Sequence, residues 1–169
     1  MLMLDLPRLE REGSLQFQGE IPADAPLWDG TDLRLTGPLK VAGTARVAGS
    51  GEILVDARIE GEIRQECRRC LAEVLTPVEL SPMMVFGEPD AESGEDGEVR
   101  PLGLTATELD LREAVREEVI LAVDPFVVCD PDCKGLCPQC GIDRNKETCE
   151  CELEEPDSRW DALRALKSE

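Results

Sequence analysis

The sequence of 169 residues has no histidine. That absence removes the usual general base, the usual proton shuttle and the commonest nitrogen ligand for a metal. Any metal bound here must be held by sulfur or carboxylate. Aromatic residues are only 3% of the chain, so a core has to be built mainly from Val, Leu and Ile. No run of roughly 18 apolar residues occurs, and no membrane-spanning helix is expected. The opening stretch from Met1 to Glu12 lacks the basic start, long apolar run and small-residue cleavage site of a secretion signal. These absences lead us to expect a cytoplasmic chain whose thiols stay reduced. Positive charge is scarce as well. Lys and Arg number 18 against 37 Asp and Glu, for a net charge of −19. Such a surface repels phosphate, which disfavours general electrostatic binding of nucleic acid, and it attracts a basic partner.

Enough apolar residues remain, 41%, for a real core. The first two thirds of the chain read as β. Leu15 and Phe17 alternate with polar residues, as do Leu33 and Leu35, then Leu39 and Val41. The clearest strand follows Gly51: Ile53, Val55, Ala57, Ile59 and Ile63 fall on odd positions and charged residues on even ones. A period of two puts the apolar set on one face. The phase restarts after Cys70 with Val74, Val78 and Leu80, so Cys67-Arg68-Arg69-Cys70 reads as the tip of a hairpin. The stretch 88–100 is acidic, Gly-containing and nearly free of apolar side chains, and reads as a mobile loop. A helix is expected next, capped by Asp110 with Glu113 three residues on. Leu111, Ala114, Val115, Val119 and Ala122 form its apolar face, and Pro125 stops it. A short terminal helix is expected around Trp160, Leu163 and Leu166. The expected fold class is α+β: a mostly antiparallel β body, one packed helix and a zinc-stapled C-terminal segment. The expected division is a β-rich body over 1–87, the acidic loop over 88–100, and the helix with the cysteine-rich segment over 101–169.

The eight cysteines are Cys67-x2-Cys70, Cys129-x3-Cys133-x3-Cys137-x2-Cys140 and Cys149-x-Cys151. A short turn that sets two thiolates on one side suits a tetrahedral metal with sulfur bonds of about 2.3 Å, and two such turns complete the tetrahedron. Sequence distance favours one local set, Cys137, Cys140, Cys149 and Cys151, with Gly135 and Gly141 permitting the tight backbone. The other four, Cys67, Cys70, Cys129 and Cys133, then form a non-local site that staples the hairpin tip to the segment after the helix. Two structural zinc ions are the expectation, and they carry the chain to a net charge of about −23. Disulfides need an oxidising compartment that nothing in the sequence indicates. A redox dithiol at Cys137-Pro138-Gln139-Cys140 lacks the surrounding βαβ unit. Iron in a four-cysteine site is chemically open, since thiolates alone do not exclude it. A closed four-thiolate site has no free coordination position and points to structure rather than catalysis.

Together, Cys67-Arg-Arg-Cys70-Leu71, the helix from Asp110 ending at Pro125, Cys133-Lys-Gly-Leu-Cys137-Pro-Gln-Cys140-Gly141, Asn145, Cys149-Glu-Cys151 and the ending Asp157-Ser-Arg159-Trp160 resemble the YceD family of large ribosomal RNA subunit accumulation proteins. The resemblance covers nearly the whole chain, and the Cys-Lys-Gly-Leu-Cys-Pro block is its most specific part. It implies a bacterial or plastid factor that supports accumulation of large-subunit ribosomal RNA, with a link to a small basic ribosomal protein and no agreed catalytic mechanism. The acidity of the chain fits contact with a basic ribosomal protein or a large-subunit precursor, with any contact to rRNA indirect and no small-molecule substrate or membrane involved. The alternative is a zinc-knuckle protein that binds precursor rRNA directly through Arg68, Arg69, Lys134, Arg144 and Lys146, which lie near the cysteines. A magnesium-dependent hydrolase would need a carboxylate cluster, and no acidic spacing singles one out.

Overall fold

The structure is a computed structural model that describes residues 2–49, 51–87, 99–103 and 105–151. The terminal helix expected around Trp160 lies outside these residues, as does the acidic stretch up to residue 98. The elements in chain order are β1 (Met3–Asp5), α1 (Leu6–Glu12), β2 (Ser14–Ile21), a 3-10 turn at Pro26–Trp28, β3 (Arg34–Leu35) and β4 (Leu39–Val47). Then follow β5 (Ile53–Glu66), β6 (Glu73–Leu80), β7 (Met83–Gly87), β8 (Val99–Pro101), β9 (Glu108–Asp110) and α2 (Arg112–Ala122). The fold class is α+β, with a mostly antiparallel sheet.

The 14-residue strand β5 is the spine of the sheet. On one side it pairs with β4 along Ile53–Glu60 and with β3 at Ile63 and Arg64. On the other side it pairs with β7 along Ile53–Asp56 and with β6 along Ile59–Glu66. All these pairings are antiparallel; β7 and β8 alone run parallel among the described strands. The alternation read from the sequence sets the register: Ile53, Val55, Ala57, Ile59 and Ile63 are all buried. The charged positions between them lie on the outer face, where Arg46 pairs with Asp56 and Arg64 with Glu73. A one-residue slip would exchange the two faces, so the register is strongly specified.

Helix α2 lies on the apolar face. Leu111, Ala114, Val115 and Val119 enter a core shared with Leu39, Val41, Ile59 and Ile63. Two details differ from the sequence-based expectation. Asp110 belongs to β9, and its carboxylate accepts from the Arg112 N–H, two residues on, instead of capping at Glu113. The Leu111 N–H is taken by the Leu2 carbonyl at 2.9 Å, which keeps the chain extended through Asp110 and delays the helix. At the other end Ala122 is exposed, and Val123, already extended, packs on the core instead. A second helix, α1, was not expected. It has only two buried residues, Leu6 and Leu9, too few for a visible period. Its ends are nonetheless well formed: Asp5 accepts from the Arg8 N–H at 2.8 Å, and Gly13 closes the C-terminus at φ 75°. Val99 and Arg100, the end of the stretch read as a loop, lie in β8, where the Arg100 guanidinium ties the sheet to Glu117 and Glu118 of α2.

The sheet centre leaves no room at Gly43. A Cβ there would lie 2.2 Å from the Asp56 carbonyl oxygen and 2.7 Å from the Phe17 ring. The first neighbour is backbone of the central strand and cannot swing away. Gly43→Ala is therefore expected to lower unfolding free energy by about 2–3 kcal/mol. Urea unfolding checks this, and a midpoint equal to that of the parent chain contradicts it.

Candidate metal centre

The hairpin between β5 and β6 turns through Cys67-Arg68-Arg69-Cys70, so both sulfurs sit at the end of the sheet. Beyond α2 the chain runs back along this tip. The Arg68 N–H donates to the Val127 carbonyl at 3.0 Å, and Gln65 Nε2 donates to the Asp124 carbonyl at 2.8 Å. Arg69 Nη1 donates to the carbonyls of Pro131 at 3.0 Å and Cys133 at 2.9 Å. The Arg69 carbonyl in turn accepts from the Leu136 N–H at 2.9 Å. These bonds carry Cys129 and Cys133 to Cys67 and Cys70. The ligand atoms of the four lie within 4.8 Å of one another. Cys67 Sγ is 3.9 Å from Cys133 Sγ, and Cys70 Sγ is 3.5 Å from Cys129 Sγ. A tetrahedral ion with sulfur bonds near 2.3 Å requires ligand–ligand edges of about 3.8 Å, so this donor set fits such an ion.

The remaining sulfurs, of Cys137, Cys140, Cys149 and Cys151, form the second group within 4.8 Å. All eight cysteines are unbridged. The two Cys-x2-Cys turns share one backbone pattern. In the first, Cys67 N–H donates to Ala72 O at 2.8 Å and Leu71 N–H to Cys67 O at 2.9 Å. In the second, Cys137 N–H donates to Ile142 O and Gly141 N–H to Cys137 O, both at 2.9 Å. The residue after the second cysteine is left-handed in each: Leu71 at φ 59° and Gly141 at φ 75°. The turn thus imposes a conformation that leucine adopts only under constraint. Gly135 has a separate role. At φ 71° it lies against Arg69, where a Cβ would stand 2.8 Å from the carbonyl oxygen.

The turns also set the charge of the sulfurs. The Cys67 thiol is lowered to about 6 by backbone N–H donors, that of Cys129 first and then those of Cys70 and Arg69, against the opposing effect of burial. The Cys137 thiol is likewise lowered to about 6, by the N–H groups of Cys140 and Gln139. Crowding acts the other way on their partners. Cys129 is pushed up to about 12 by the sulfurs of Cys70 and Cys133, and Cys151 to about 12 by that of Cys140 together with burial. Four sulfurs at this spacing cannot all be anionic unless a cation sits among them.

Of the basic residues named as an RNA-binding set, the structure engages three locally. The Arg69 head is used on backbone carbonyls, Arg68 donates to the Pro125 carbonyl and lies 5.9 Å from the Phe126 ring centre, and Lys146 pairs with Asp143. The residue that pattern reasoning left without a role is Asn145. Its Nδ2 donates to Cys133 Sγ at 3.3 Å, and its Oδ1 accepts from the Lys134 N–H at 2.8 Å. The family resemblance includes it, but its spacing assigns it no role, because the contact exists only once both cysteine groups are folded.

Binding of a divalent ion must displace the thiol protons that crowding retains. With two thiols raised by their neighbours in each group, zinc titrated into metal-free chain at pH 7.5 is expected to release on the order of two protons or more per ion. Apparent affinity is expected to fall as pH drops towards 6, because protons then compete even for Cys67 and Cys137. Calorimetry in two buffers of different ionisation enthalpy measures the release, and none at all contradicts thiolate ligation.

Comparison with known proteins places this arrangement. Two mycobacterial proteins, from Mycobacterium tuberculosis and Mycobacterium bovis, are each 30% identical over 165 residues, covering 96% of this chain and 79% of the relative. The Bacillus subtilis protein YlbN is 29% identical over 137 residues, 80% of this chain and 78% of its own length. A chloroplast protein of Arabidopsis thaliana, named large ribosomal RNA subunit accumulation protein YCED homolog 1, is 36% identical over 62 residues, 37% of this chain and 19% of its own. No solved structure matches. The family described as large ribosomal RNA subunit accumulation protein YceD matches residues 55–167, a stretch that contains all eight cysteines and begins inside β5. The chain belongs to the YceD family.

Proposed function

We propose that this chain is a non-enzymatic factor for large ribosomal subunit biogenesis whose C-terminal part is held in shape by two zinc ions. The family membership implies a role in accumulation of large-subunit ribosomal RNA, and the match across every cysteine is the observation that carries the reading. Zinc is the metal of choice because two closed four-sulfur sets with no nitrogen donor suit it, and such sets offer no open position for substrate. The metal ligands in this reading are Cys67, Cys70, Cys129 and Cys133 in one site and Cys137, Cys140, Cys149 and Cys151 in the other. In this reading the β-rich body over 1–87 acts as the scaffold, and the cysteine-bearing segment from Cys129 to Cys151 is the metal-ordered part.

The partner that suits this chemistry is a basic ribosomal protein, free or on a precursor particle in the cytoplasm. The net charge of −19 favours steering of such a partner and works against a grip on phosphates. The local engagement of Arg68 and Arg69 further weakens the direct rRNA-binding reading, since both heads hold the chain's own carbonyls. It also means that Arg68→Glu and Arg69→Glu test the staple as much as any RNA contact. Copurification tests the proposal. Tagged chain in lysate at low salt is expected to retain a basic ribosomal protein or large-subunit precursor, with the yield falling steeply by about 0.5 M salt, where charge attraction is screened. Retention of no ribosomal component at low salt, or capture of bare rRNA alone, contradicts it.

A further inference from the structure

We infer that Asn145 couples the two cysteine sites, so that metal uptake is ordered and cooperative: the local site fills first and prepares the stapling site. This rests on the reading above, in which both groups hold metal.

Asn145 lies in the loop between Cys140 and Cys149, so its position is fixed when the local group closes. Within that loop the Lys146 and Glu147 N–H groups turn back onto the Asp143 carbonyl, and Asp143 Oδ1 accepts from both the backbone N–H and Nδ2 of Asn145. The loop rests on the strap between Cys133 and Cys137 through three bonds. Arg144 N–H donates to Gly135 O at 3.0 Å, Lys134 N–H to Asn145 Oδ1 at 2.8 Å, and Asn145 Nδ2 to Cys133 Sγ at 3.3 Å. One side chain of the local site thus orients a sulfur of the other and supplies an N–H donor to its negative charge. Donors of this kind beyond the ligands typically change metal affinity by 10–100-fold.

Chain topology sets the order. The stapling pairs Cys70–Cys129 and Cys67–Cys133 are 59 and 66 residues apart, whereas the local group lies within Cys137–Cys151. Closing the longer loops costs more chain entropy. Because the coupling is an equilibrium property, each site strengthens the other by the same factor.

Cobalt(II) titrated into the reduced full-length chain reads this through its sulfur-to-metal charge-transfer bands, with chelator competition for affinity. The stapling-site signal is identified as the part lost in Cys129→Ser. Two ions per chain are expected in the parent. Asn145→Ala is expected to bind two ions as well, with affinity of the stapling site lowered on the order of 10–100-fold and that of the local site lowered by less. Asn145→Asp is expected to be weaker still, as a carboxylate would face the Cys133 sulfur. In a Cys149→Ser background, where the local site is disabled, adding Asn145→Ala is expected to make little further difference at the stapling site. Coupling is overturned if Asn145→Ala leaves both affinities unchanged, or if its effect persists in full when Cys149 is replaced. A parent chain that binds no cobalt overturns the metal reading itself and is distinguished by stoichiometry alone.

Discussion

The placement of the segment after α2 depends on the meeting of four sulfurs at the tip of the β5–β6 hairpin. Cys67 and Cys70 come from the sheet, Cys129 and Cys133 from the segment after α2, and the closest cross-segment pairs lie 3.5 Å and 3.9 Å apart. An ion held there only by the folded chain would add its binding free energy to folding, and that can be a large share of the marginal stability of an ordinary domain. The buried group at the tip is small: Cys67, Cys70 and Cys133, with Ala72, Val74, Val128 and Leu136 against it. So little apolar surface cannot hold the segment by itself, and the tie must come from the sulfurs together with the bonds of Gln65, Arg68 and Arg69.

The body has an apolar core of its own. Its core runs from Leu2 to Val119 and draws on every strand face that the alternation marks. No polar or charged residue is buried among the described residues, so the acidity is carried on the outer faces. The described residues thus fall into two regimes: an aliphatic core that folds by exclusion from water, and a cysteine-bearing segment with little apolar surface whose order the proposed metal ions would set. The hairpin β5–β6 belongs to both, which is why its tip carries the first cysteine pair.

Much of this was legible in the sequence, and the reasons for the gaps are physical. Strand β5 declares itself because five apolar residues share one parity over more than ten positions. The separation of the cysteines into two fours follows from spacing, because close cysteines meet at small entropic cost. Helix α2 shows its stripe, but its start differs from the Asp110–Glu113 pattern, because the pairing of β1 with β9 holds Asp110 extended. Short elements leave no periodic trace. Strands β1, β8 and β9 have three residues each, too few for a period, and β1 and β9 find each other only across the length of the body. The same holds for Asn145, whose contact with Cys133 joins two separately folded turns, and for Arg68 and Arg69, whose charge suggested a nucleic-acid contact but whose heads bond to nearby backbone.

The claim on which the account stands is that the two sulfur groups are metal sites and that the metal is zinc. Elemental analysis combined with intact mass under native conditions, on chain purified without added metal, addresses it most directly. The account predicts two zinc ions for each folded chain and eight unbridged cysteines once the metal is removed. A folded chain that carries no metal, or a mass that reveals bonded sulfur pairs, would contradict it.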